Sequence, residues 1–159
     1  MKPFLLILLF VLQASTGLAA PRLALFDFCD LQDKVSSDGT RLALLMLPEL
    51  SSHPGLDVIE RKELNQAIRE QRLNASGLTH DHYLLLAKIL KADYLVTGRI
   101  YPLEGQLVIN LKLIDCITGN VSGKSFVFPG DLDNWETVAR QLADYLAGRL
   151  IPSPPSRSP

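Results

Sequence analysis

The chain has 159 residues, with 16 Lys or Arg against 17 Asp or Glu and a formal net charge of −1. No basic stripe is visible, which argues against a nucleic-acid partner. With both ends set aside, roughly 130 residues remain, the size of one domain around one core.

Residues 1–19 read as an export signal: Lys2, an unbroken apolar run from Phe4 to Leu12, then small residues at Ala14, Ser15, Gly17 and Ala19. The run is shorter than the about 20 residues a membrane-spanning helix needs. Cleavage is expected after Ala19, with Ala20 as the alternative and an uncleaved anchor as the weaker one. No Cys follows the run closely, so no lipid attachment site is read, and no second apolar run suggests a transmembrane segment. At the other end, residues 151–159 are a Pro/Ser-rich tail that cannot bury apolar surface and is read as disordered.

Between these ends the elements follow in order. Leu23, Ala24, Leu25 and Phe26 make a short apolar strand buried on both faces. A helix starts near Ser37 or Asp38, either able to cap it, and Pro48 is expected to kink or end it. Residues 51–55 read as a loop, and Leu56 to Ile59 as a second strand. Glu60 to Arg72 forms a helix with Leu64 and Ile68 on one face, and Gly77 centres the turn after it. Thr79 or Asp81 caps a third helix, expected to pack through Leu85, Leu86 and Ile89. Tyr94–Tyr101 and Gln106–Asp115 form a hairpin about Glu104-Gly105. In its second arm Leu107, Ile109, Leu111 and Leu113 face a core, while Val108, Asn110, Lys112 and Ile114 face a partly wet side. Thr118-Gly119-Asn120 turns the chain into an edge strand over Val121–Phe128. Asp133 with Glu136 predicts a capping box for a last helix whose stripe includes Trp135, Val138, Leu142, Leu146 and Leu150. The fold class is therefore mixed α/β (α+β), a single domain over residues 22–150 with a sheet of about five strands. Its expected order is β-α-β-α-α-β-β-β-α, the first two strands parallel and the last three an antiparallel meander.

Five stretches carry a resemblance. They are Glu60-Arg61-Lys62-Glu63-Leu64, Glu70-Gln71-Arg72-Leu73, Ser76-Gly77-Leu78, Ala92-Asp93-Tyr94-Leu95-Val96-Thr97-Gly98, and Leu113-Ile114-Asp115 with Thr118-Gly119. Together they resemble the envelope α/β domain shared by CsgG, LpoB, FlgO and the N-terminal domain of TolB, over nearly all of residues 22–150. The resemblance implies a scaffold rather than a reaction: an exported, non-enzymatic adaptor or assembly factor that binds other envelope proteins and can oligomerise with itself. It places the protein in the periplasm or peripherally at the outer membrane. A second reading is an LpoB-like regulator of a peptidoglycan synthase; a third, weaker one is a small periplasmic hydrolase or metal-binding protein. The chain lacks the additional membrane-strand segments of CsgG-like pores, the lipid-bearing Cys of CsgG and LpoB, and the propeller of TolB.

Side chains able to carry chemistry are few. His80 and His82 are two apart on a helix and diverge, and His53 is remote, so no metal is assigned. Cys29 and Cys116 fall at opposite ends of the expected sheet, beyond the about 7 Å a disulfide allows between Cα atoms, and are read as unpaired. Asp27, Asp30 and Asp33 are read as cap and loop residues more readily than as an acid cluster. Asn74-Ala75-Ser76 and Asn120-Val121-Ser122 match a glycosylation pattern but are read as turns. No catalytic, cofactor-binding or metal-ligating residue is assigned.

Overall fold

The computed structural model describes residues 19–152. The stretches read as an export signal, 1–19, and as a tail, 151–159, lie outside the described residues, apart from Ala19, Ile151 and Pro152. Nine elements follow in the expected order: β1 (Arg22–Leu25), α1 (Ser37–Ser51), β2 (Asp57–Val58), α2 (Arg61–Glu70), α3 (His80–Leu90), β3 (Tyr94–Leu103), β4 (Gln106–Asp115), β5 (Val121–Pro129) and α4 (Trp135–Leu150). The strands form one mixed sheet ordered β2-β1-β3-β4-β5. β1 is parallel to β2 and β3, and β3, β4 and β5 are antiparallel neighbours.

The alternation of β4 comes out as read. Leu107, Ile109, Leu111 and Leu113 join Leu23, Leu25 and Val96 in a core closed by α1 and α4. From α1 come Leu42, Met46 and Leu50, and from α4 Val138, Leu142 and Leu146, each no more than 2% exposed, while Leu150 at the end of α4 is 7% exposed. A smaller core on the other face gathers Ala24, Phe26, Leu95 and Ile114 under α2 and α3. Those two helices lie over β2, β1, the start of β3 and the end of β4. Beyond them the second face is uncovered, and Lys112, Val121 and Val127 are exposed there.

Turn chemistry sets the hairpin. Glu104 and Gly105 both have positive φ, 49° and 73°, as a two-residue turn between right-twisted strands requires. β3 runs on through Pro102 to Leu103, further than Tyr101. The missing N–H of Pro102 falls on the side facing β1, which has already ended, so no ladder bond is lost.

Four local expectations are corrected. Pro48 lies inside α1, which continues to Ser51 with the Pro48 carbonyl accepting from Ser52 N at 3.0 Å; in the last turn proline removes one bond without stopping the helix. The α1 cap is Ser36, whose hydroxyl accepts from Gly39 N at 3.0 Å. In α3 the buried residues are Leu86, Ala87 and Leu90, while Leu85 and Ile89 are 42% and 41% exposed. A run as apolar as Leu84-Leu85-Leu86 fits several faces equally, so its spacing does not choose one. At α4 the cap is Asn134, accepting from Thr137 N at 3.0 Å, and not an Asp133–Glu136 box; two adjacent residues could cap, and the later one does.

Candidate functional site

The uncovered part of the sheet and the loops beside it form a cleft of about 370 Å³. Its floor is strand β3. Thr97, the one buried polar residue among those described, shares a 3.2 Å hydrogen bond with the hydroxyl of Tyr83 from α3. Tyr83 is held there by an edge-on contact with Phe26 at 4.9 Å. Burial pushes the Tyr83 phenol up, with the bond to Thr97 acting the other way, so it stays neutral in ordinary conditions. Gly98 beside it has no room for a side chain: a Cβ would lie 2.2 Å from the Asn110 carbonyl oxygen and 2.8 Å from the Phe28 ring.

One rim is built from two loops locked together. Val35 N donates to Ser76 Oγ at 3.0 Å, and Gly77 N donates to Asp33 O at 2.9 Å. Gly77 needs its positive φ of 74° to make that turn. Asp33 then receives Arg99 through Nε at 3.1 Å and Nη2 at 2.6 Å. The other rim is Lys112, which forms no ion pair among the described residues. Beyond Lys112 lies β5, the sheet edge.

The acidic triplet is dispersed by its partners. Asp27 receives Arg61 at 2.6 Å and the Thr40 hydroxyl at 3.1 Å, tying the end of β1 to α1 and α2. Its Oδ1 is buried without a partner. Asp30 accepts from Gln32 N and Lys34 N in a loop turn, and Asp33 holds Arg99. The resemblance motif Glu60-Arg61 thus acts through Arg61 as a strut, while Glu60 makes no side-chain cap bond.

Histidine and cysteine have similarly local roles. His82 Nδ1 accepts from Thr79 N while Thr79 Oγ1 accepts from His82 N, a reciprocal cap at 3.2 and 3.3 Å. That role was missed in the sequence because the third helical position of such a box is ordinarily Glu or Gln. His53 lies 3.7 Å from Asp144, far along the chain from His80. Among the described residues no group of three His, Cys, Asp or Glu is placed to hold a metal. Both cysteines are free. Cys29 bridges to Arg99, whereas Cys116 N bonds Asp93 O, so about 20 Å of β3 separates them. Burial raises both thiols, reinforced by nearby carboxylates, Cys116 to about 11. Asn74 Oδ1 accepts from Ser76 N and Asn120 N donates to Thr118 Oγ1, so both Asn-x-Ser sites are turns.

The family described as "Curli production assembly/transport component CsgG" matches residues 26–108. The chain belongs to the CsgG family. No curated protein matches it. The C-terminal domain of LpoB from Escherichia coli superposes with a TM-score of 0.56 at 13% identity, over 73% of this chain and 87% of that one. The same domain from Salmonella enterica gives 0.52 at 16% identity, over 74% and 89%. TolB from Acinetobacter baumannii gives 0.54 at 15% identity, over 84% of this chain and 29% of TolB. At these identities the likeness is one of fold. The CsgG-family match ends inside β4, so Lys112, β5 and α4 lie beyond the matched stretch.

Proposed function

We propose that this CsgG-family chain is an exported, non-enzymatic envelope protein whose domain, residues 22–150, acts as an adaptor or assembly factor by binding other envelope proteins, its own copies included. One observation carries the reading. Among the described residues the structure leaves part of one sheet face and the nine-residue edge strand β5 without a covering element, while Asp27, Arg61, Asp33, Arg99 and His82 are engaged in struts, caps and turns. That is a surface suited to docking rather than a set of groups converging on a substrate. In keeping with it, no helix among the described residues is long and apolar enough to cross a membrane.

Affinity capture from envelope extract with the tagged chain tests the reading, with light scattering on the eluted species to separate self-association from a heterologous complex. A stoichiometric envelope partner is the expected result, and recovery of a cell-wall synthase would specify the LpoB-like role. No partner, with reproducible turnover of a small substrate, would overturn the proposal.

A further inference from the structure

The direction of the backbone groups on β5 follows from its pairing. Asp115 N donates to Asn120 O and Gly130 N donates to Gly105 O, so the odd residues of β4 face β5 and the even residues of β5 face β4. The N–H and C=O groups of Val121, Gly123, Ser125 and Val127 therefore point away from the sheet, with no strand beyond them among the described residues. The Cα atoms of these four residues face the same side as Ile114, Lys112, Asn110 and Val108, their partners, so the side chains of Val121, Ser125 and Val127 stand on the uncovered face.

Gly123 sits directly beside Lys112 on that face and has no side chain. A carboxylate on a strand added outside β5, opposite Gly123, would reach Lys112 across the bare glycine. Two strand spacings are about 9.6 Å, within the joint reach of an extended Lys and a Glu. Along the same face Val121 on one side is 51% exposed, and on the other Ser125, which donates to Asn110 Oδ1, is followed by Val127 at 55%. Lys124, on the opposite face, is already occupied, lying 4.6 Å from the Tyr145 ring and 5.1 Å from that of Phe126. Lys112, between Thr97 and Gly123 on the open face, has no ion pair among the described residues.

Resting on the docking reading above, we infer that β5 takes an extended acidic segment of another protein as a sixth strand, with an Asp or Glu opposite Gly123 paired to Lys112 and apolar residues opposite Val121 and Val127. A second copy of β5 brings no carboxylate to this position. Val121–Pro129 contains no acidic residue, so symmetric pairing in any register leaves Lys112 unneutralised. Nor do residues 1–18 or 153–159 supply the segment, since neither stretch contains Asp or Glu.

The probe is a synthetic peptide, Val-Thr-Thr-Thr-Glu-Thr-Val, which in antiparallel register sets its Glu opposite Gly123. Amide hydrogen exchange of the full chain is followed by NMR with and without it. Protection is expected to rise at least about tenfold at Gly123, Ser125 and Val127, whose amides lack partners in the sheet, and to change little at Ser122, Lys124 and Phe126. Lys112→Glu is expected to weaken the peptide on the order of tenfold, and a peptide carrying Lys in place of Glu to restore binding to that variant. Unchanged protection at the three amides, or equal affinity of wild type and Lys112→Glu, overturns the inference. Val127→Pro, on the outward N–H, is a second block that spares the β4–β5 ladder. Should envelope capture recover the same partner with wild type, Lys112→Glu and Val127→Pro alike, the protein-binding reading stands and the β5 site falls.

Discussion

The two faces of the sheet are made by alternate residues of the same strands, yet they end differently. On one, Ile109 and Leu111 disappear beneath α4; on the other, Asn110 and Lys112 remain accessible. The difference lies in helix supply. The crossovers from β1 through α1 and from β5 into α4 bring two long helices to the first face. Among the described residues the second receives α2 and α3, which reach only Leu95 at the start of β3 and Ile114 at the end of β4. A surface for partners thus arises where the chain runs out of helix to cover it.

Removing cover from the closed face should have the largest effect. A chain ending at Asp131 loses the Val138–Leu150 stripe, where each large buried side chain contributes about 1.5–3 kcal/mol; it is expected to be insoluble, and cooperative urea unfolding of soluble material would contradict this. Next is Gly98→Val, which drives a side chain into the Asn110 carbonyl and the Phe28 ring and should cost about 3 kcal/mol or more by urea unfolding. Arg61→Ala leaves the mostly buried Asp27 carboxylate without its cation and should cost about 1–3 kcal/mol; a change under a few tenths would show the strut to be idle.

Cys116 offers a smaller, pH-dependent effect. Its thiol is held neutral up to about 11 in the folded chain against an ordinary 9.0. The unfolded chain ionises first, so the thiol's contribution is complete below pH 9 and is lost as pH rises toward 11. Wild type should lose stability relative to Cys116→Ser across that window, and parallel curves would contradict the burial argument. Smallest is Lys112→Glu on the open face, expected to shift stability by no more than about 0.5 kcal/mol in thermal melts while altering peptide binding.

The strands were legible because period-two alternation and Gly105 turn chemistry act locally, as in Leu107 to Leu113. The Thr79 cap was legible for the same reason. What the sequence withheld depends on distant partners. Asp27 meets Arg61 across 34 positions and Asp33 meets Arg99 across 66, so neither pairing leaves a local trace. The bareness of Lys112 was half-visible, as a polar residue on the wetter side of β4. Its lack of a partner depended on where α2 and α3 stop and on Gly123 facing it, which spacing alone does not reveal.

The polypeptide enters and leaves the domain on one flank. Pro21 O accepts from Asp57 N, and Ile151 packs against Gly55, just before β2. Four strand spacings, about 19 Å, lie between that flank and β5. A leash fixed to either terminus, natural or engineered, would therefore hold the molecule by its back and leave the growing edge facing outward, so immobilisation through an end tag should not mask it.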